Sequence, residues 1–192
     1  RARIFSVINR PVDSIFDVWQ VHGTEVIAAT QPRLLTEDHQ KADAILTDQP
    51  GITLMMRFAD CVPIFLYDPI MKVVGLVHAG WQGTVDKIAA IAVRKMEQKY
   101  HSQAKDILAG IGPSIGPDHY EIGADVVERM EVSLNDDANQ FLIRQNGQIR
   151  LDLWGANQFI LASAGVRITQ ISGICTACNL VDWYSHRKEN GL

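Results

Sequence analysis

The sequence predicts an α/β (α+β) sandwich with mixed β-sheets, and three observations carry that expectation. Strand-sized apolar runs crowd the first half, three helical patterns follow, and the two kinds mix without strict βαβ alternation. The strand-like runs lie at 4–8, 18–21, 26–29, 44–46, 52–58, 62–66 and 73–78. A break follows at Ala79-Gly80. Thr84 then reads as an N-cap, with Asp86 in the first turn where the helix dipole favours a negative charge. Val85, Ile88, Ala89, Ala92 and Met96 share one face at helical spacing, which predicts an amphipathic helix over 85–100. A strand over 107–111 runs into a Gly- and Pro-rich loop at 112–117. Helices follow over 125–132 and 152–164, the second capped by Asp152 and stopped by Gly165. A last strand covers 166–174, and the tail 182–192 is polar around Trp183 and Tyr184.

No repeat, low-complexity tract or long linker interrupts the chain, so residues 1–192 read as one domain. It begins at Arg1 with no leader, and some N-terminal residues are expected to be missing. The composition, 47% hydrophobic and 21% charged, is that of an ordinary globular protein. A net charge of −4 provides no field that would draw it to nucleic acid or an anionic membrane. No apolar run approaches the roughly 20 residues a membrane span needs. Neither G-x-G-x-x-G nor G-x-x-x-x-G-K-[ST] occurs, which removes the common dinucleotide and P-loop readings. Cys61, Cys175 and Cys178 read as reduced thiols in a cytoplasmic protein.

Three segments end strand-like runs on a metal-capable side chain: Gln20-Val21-His22-Gly23, Asp60-Cys61-Val62-Pro63 and Val77-His78-Ala79-Gly80. One thiolate and two imidazoles suit zinc and leave a fourth tetrahedral position open, as in catalytic rather than structural zinc sites. Taken singly, a residue placed like Cys61 is more often a small buried hydrophobe, and a lone histidine beside a glycine more often an ordinary hydrogen-bonded residue. Asp60 is a candidate to orient a ligand histidine or the substrate. Arg57 and Arg187 are candidate oxyanion clamps, against the alternative of surface ion pairs. Loop 112–117 is a poor anion nest because its prolines lack N–H groups. Cys175 and Cys178 have C-x-x-C spacing without a second such pair, and read as two reduced thiols near the sheet edge, the alternative being that they are redox-sensitive or help shape the site.

The ordered set QVHG, ADCVP, HAGWQGT, GPSIG…YEIG, ICTACN and YSHR, spread over 9–187, resembles the laccase-domain family, also called multicopper polyphenol oxidases. Members of that family are assigned as zinc-dependent purine nucleoside phosphorylases with adenosine deaminase activity. The resemblance implies an α/β sandwich related to putative cysteine hydrolases, with His22, Cys61 and His78 as metal ligands. Position 82 departs from the family, with Gln where Arg is usual, so an anion contact made there elsewhere is in question. The expected activity is phosphorolysis of adenosine, inosine or methylthioadenosine, with deamination of adenosine. Cys61, His78 and Asp60 are the expected catalytic residues, and Arg57, Ser185 and Arg187 the expected contacts to nucleoside or phosphate. Zinc is the expected cofactor. Copper oxidation is disfavoured, because six scattered histidines with no His-x-His pair do not make a multi-copper site.

Two further readings stand beside this one. Cys61 as nucleophile with His78 as base would hydrolyse an amide, such as one in a peptidoglycan precursor. A non-catalytic scaffold would need a fourth protein ligand, with His186 or Cys178 the first suspects. The expected partners are a purine nucleoside and phosphate, without nucleic acid or membrane, in a monomer or homodimer.

Overall fold

A computed structural model describes residues 2–189. Among them the chain forms α1 (Ala2–Val7), β1 (Ile15–Asp17), β2 (Val26–Ala28), β3 (Ala44–Thr47), β4 (Thr53–Met55), β5 (Val62–Asp68) and β6 (Val73–Ala79). It continues with α2 (Trp81–Val85), α3 (Ile88–Tyr100), β7 (Leu108–Ile111), α4 (Ala124–Leu134), β8 (Leu142–Gln145), β9 (Gln148–Leu151), α5 (Leu153–Ser163) and β10 (Ile168–Ile171).

Six strands make one mixed sheet in the order β10-β7-β5-β6-β3-β2. Its two outer pairs are parallel and the three inner pairings antiparallel. Alternation along β5 sends Ile64 and Leu66 into the main core and leaves Phe65 and Tyr67 exposed. That core joins the sheet to Ile88, Ala92 and Met96 of α3, Met130 of α4, and Ile160 and Leu161 of α5. The opposite pleat of β3 and β6 turns Ile45 and Leu76 into a smaller core, shared with Phe16 and Leu54 of the parallel β1–β4 pair. The layered mixed α/β architecture is therefore the predicted one.

Several predicted elements differ. Residues 4–7 are helical, with Ile8 in the following turn, rather than extended: among the described residues no strand pairs with them, and local bonds such as Ile8 N–H to Ile4 C=O satisfy the backbone instead. The strand predicted at 18–21 sits earlier, at β1, because the N–H groups of Val21, His22 and Gly23 are taken by the Asp43 carboxylate. The predicted 85–100 helix is two helices, broken where Lys87 adopts φ 58°. Thr84 does not cap it. Thr84 lies inside α2, where its hydroxyl donates to the Gly80 carbonyl and accepts from Asn157 Nδ2. Asp152 does cap α5 through the Gly155 N–H, and Gly165 follows at φ 95°. The β8–β9 hairpin turns on Asn146-Gly147, at φ 52° and 77°, the positive pair a type I′ turn demands.

Candidate metal centre

Sheet register assembles the site. β6 runs antiparallel to both neighbours, with Pro63 opposite His78 and Val77 opposite Ala44. Cys61, one residue before β5, and Asp43, one residue before β3, therefore flank the end of β6 that carries His78. The His78 N–H donates to the Asp43 carbonyl at 2.7 Å. His22 arrives from the other side on a tight turn at φ 58°, an uncommon conformation for a residue with a Cβ. Three backbone N–H bonds to the Asp43 carboxylate, at 3.1, 3.0 and 2.7 Å, hold that turn.

The structure brings His22, Cys61 and His78 together from positions far apart in the chain. Their ligand atoms all lie within 4.8 Å of one another. His22 Nε2 is 3.9 Å from Cys61 Sγ, and the two imidazole rings meet edge-on at 4.9 Å between centroids. Gly80 makes the convergence possible: a Cβ there would stand 2.7 Å from Cys61 Sγ and 3.3 Å from His22 Cδ2. Two imidazoles and a thiolate are a donor set that fits zinc. Among the described residues no fourth His, Cys, Asp or Glu joins the cluster. His186 lines the adjoining cavity without being part of it, and Cys178 belongs to a separate group.

The carboxylate that fixes a histidine is Asp43, not Asp60. Fully buried, it accepts from His78 Nδ1 at 2.8 Å and so turns Nε2 toward the cluster. Burial alone would raise the Asp43 carboxyl, but bonds from His78 and from the Gly23 and Val21 N–H groups outweigh it and hold it below its usual range. Burial likewise opposes charge on His78, yet hydrogen bonds to Asp43 and Cys61 push it up to about 9. His22 moves the other way, lowered by burial and by the His78 charge. In protein stripped of metal, that raised value keeps a proton on His78 at neutral pH. Because that pKa is raised above 6.5, the stabilisation is complete below about pH 6.5 and is lost as pH rises through about 9. Chelator-treated protein is expected to show a falling denaturation midpoint between pH 7 and 9.5. Protein loaded with zinc is expected to lack that fall if the ion takes the place of the proton. Parallel urea titrations check both.

A cavity of about 320 Å³ opens beside the cluster, lined by His22, Asp60, Cys61, Ile115, Tyr120, Leu153, His186 and Arg187 among others. Asp60 accepts from the Thr176 hydroxyl at 2.6 Å and from the Arg187 N–H at 2.8 Å, and neither histidine bonds it. The Arg187 guanidinium donates to the Glu121 carbonyl and lies over the Tyr120 ring, 5.0 Å from its centroid. Ser185 and Arg57 are placed otherwise than predicted. Ser185 is fully buried, its oxygen accepting from Lys188 N–H, so it shapes the turn presenting His186 and Arg187. Arg57 is exposed outside the cavity lining, its backbone tied to the Gln20 side chain. Tyr120, half-buried, has a hydroxyl pushed up to about 12 by burial and by the Cys61 charge. Asp43 and Tyr120 are the site residues that sequence reasoning passed over. The signal for Asp43 was an acid set directly before an apolar strand, where burial demands partners.

Known proteins resemble the whole chain. The family model described as multi-copper polyphenol oxidoreductase laccase matches residues 1–192. The purine nucleoside phosphorylase YlmD of Bacillus subtilis is 36% identical over 202 residues, spanning 100% of this chain and 72% of that protein. The adenosine deaminase RL5, from an unknown prokaryotic organism, is 35% identical over 179 residues, 88% of this chain and 68% of that one. The crystal structure of YlmD from Geobacillus stearothermophilus superposes with a TM-score of 0.92 at 33% identity, covering 98% of this chain and 73% of that chain. Among the described residues no helix is long and apolar enough to cross a membrane.

Proposed function

This chain belongs to the multi-copper polyphenol oxidoreductase laccase family, and we propose that it is a zinc-dependent purine nucleoside phosphorylase that also deaminates adenosine. The observation that carries the reading is a three-donor cluster, with no fourth protein ligand among the described residues, beside a cavity whose lining includes both apolar side chains and Arg187. His22, Cys61 and His78 would hold the zinc, which supplies Lewis acidity to a developing negative charge.

The chain's own residues do the rest. Ile115, Leu153 and the Tyr120 ring offer apolar surface to a flat purine. Arg187, the arginine in the lining, is held by the Glu121 carbonyl and by Tyr120, so it meets phosphate with little further ordering. In phosphorolysis a phosphate oxygen bonds to the ribose C1′ as the bond to the purine nitrogen breaks, and the departing base keeps the electron pair. A fixed cation beside the incoming phosphate and proton transfer to the base are what that step requires. Asp60 has spare acceptor capacity beyond its two bonds and faces the cavity, so it is the carboxylate placed to move a proton. Glu121 is exposed outside the lining and bonded by Gln148. The substrates expected are adenosine, inosine and methylthioadenosine. The three free cysteines fit a reducing compartment such as the cytoplasm.

Copper oxidation fits this chain poorly. Among the described residues no metal-capable group brings more than two histidines together, and His39 is paired to Asp17. One observation favours a second reading, a Cys–His amide hydrolase: Cys61 Sγ has two imidazoles beside it, His22 Nε2 at 3.9 Å and His78 within 4.8 Å. The deciding experiment incubates metal-analysed protein with adenosine, with and without phosphate, and identifies products by chromatography. Adenine formed only with phosphate supports phosphorolysis, and inosine supports deamination. Neither product, together with rapid iodoacetamide labelling of Cys61 in zinc-containing buffer, overturns the proposal in favour of the hydrolase.

A further inference from the structure

Asp118, His119, Cys175 and Cys178 form a second group, whose ligand atoms also lie within 4.8 Å of one another. His119 Nδ1 stands 3.5 Å from Cys178 Sγ, 3.8 Å from Cys175 Sγ and 3.0 Å from an Asp118 carboxylate oxygen, and Cys178 Sγ is 3.4 Å from that same oxygen. With Zn–S near 2.3 Å and Zn–N or Zn–O near 2.0–2.2 Å, the edges of a tetrahedron measure roughly 3.3–3.8 Å. These four separations scatter around those edges, and the two remaining pairs stay within 4.8 Å.

A hydrogen-bond network explains the arrangement less well. One imidazole nitrogen has a single proton or a single lone pair, yet three polar atoms converge on His119 Nδ1. The backbone also presents the sulfurs. Cys178 N–H donates to the Cys175 carbonyl, which accepts from Asn179 Nδ2 as well, closing the Cys-x-x-Cys turn. The Gly116 N–H points at Cys175 Sγ from 3.2 Å, a donor suited to a thiolate. A Cβ on Gly116 would stand 3.1 Å from Cys175 Cβ and 2.5 Å from an Asp118 carboxylate oxygen, so glycine lets the loop close on the turn. Cys175 is buried, whereas Cys178 and Asp118 are exposed, which leaves an entry path.

We propose that these four residues bind a second zinc ion, closed by four protein ligands and therefore structural, which clips the loop at 112–121 to the segment at 172–189. Thiolates with an imidazole and a carboxylate select zinc over magnesium or calcium. The clip has a clear purpose in this fold. Ser114 and Cys175 already pair as an isolated bridge, Thr176 one residue on donates to Asp60, and Arg187 further along lines the cavity. Fastening Cys175 and Cys178 to His119 fixes the wall that carries both groups.

Metal analysis of protein purified with zinc and reductant tests the proposal. Wild type is expected to hold two equivalents of zinc, and Cys178→Ser one, with a lower Tm. Cys61→Ala should retain one equivalent. Cobalt exchanged into Cys61→Ala should show thiolate-to-cobalt charge transfer with tetrahedral visible bands, since Cys175 and Cys178 are then the remaining thiols. If Cys178→Ser does not fold, His119→Ala and the Cys61→Ala cobalt spectrum decide instead. Zinc absent from Cys61→Ala, or a Cys175–Cys178 disulfide persisting in reductant, overturns the clip. Loss of zinc at the first centre alone leaves the clip reading standing, so the two failures are distinguishable.

Discussion

Replacing Cys61 with alanine is expected to remove the zinc of the cavity centre and lower phosphate-dependent inosine cleavage by at least about 10³-fold. The sulfur is the anionic donor of its cluster, and without it two neutral imidazoles hold the ion weakly. Losing a Lewis acid that supplies several kcal/mol of transition-state stabilisation is worth about that factor. The fold should survive, because Cys61 is partly exposed and precedes β5 rather than packing within it. Zinc analysis, circular dichroism and a phosphorolysis assay on one preparation check the three outcomes. A nucleophilic Cys61 would also lose activity on truncation, so His22→Ala is the necessary companion. A metal centre loses zinc and activity together with either change, whereas a Cys–His hydrolase, even one with His22 Nε2 as base 3.9 Å from Cys61 Sγ, holds no zinc at this centre in wild type or variant. Full phosphorolysis in Cys61→Ala would end the metal assignment.

The positions of Cys61 and His78 at strand ends were legible in the sequence because each opens or closes an apolar run of strand length, whereas His22, expected at the end of a strand, lies on a turn five residues beyond β1. Their convergence was not, since it depends on β6 lying between β5 and β3, and pairing order is a property of the whole sheet. The same register hid Asp43. Its partners are the amides of residues 21–23 and an imidazole 35 positions away, a combination no local pattern announces. Other misreadings were local. Asn146-Gly147 is a strong hairpin signal whose flanking strands are polar enough, with Arg144, Gln145, Gln148 and Arg150, to escape an apolar scan. Thr84 resembles a cap in composition, but the helix starts immediately after Gly80, so the threonine falls one turn inside. Arg57 and Ser185 have the right chemistry for an oxyanion contact, but three-dimensional placement, which sequence does not carry, leaves both outside the cavity lining.

Asp43 also yields the second large effect. Asp43→Asn is expected to weaken zinc binding about 10- to 100-fold, the usual consequence of removing the carboxylate behind a ligand imidazole. One oxygen of Asp43 accepts from the His22 N–H and His78 Nδ1, the other from the Val21 and Gly23 N–H groups. An amide can place its single oxygen on one of these pairs, leaving its NH2 group to face donors on the other. Each buried donor so stranded costs about 1–3 kcal/mol, and the turn that holds His22 at φ 58° loses part of its support. The histidine titration separates this account from simple destabilisation. In the metal-free variant, His78 loses the strongest influence that pushes it up to about 9, so its NMR titration should move back toward ordinary histidine values. A purely structural role for Asp43 would lower stability and leave zinc affinity in the folded fraction unchanged. An unchanged zinc affinity with an unshifted His78 titration would mean that the buried carboxylate does not govern this centre.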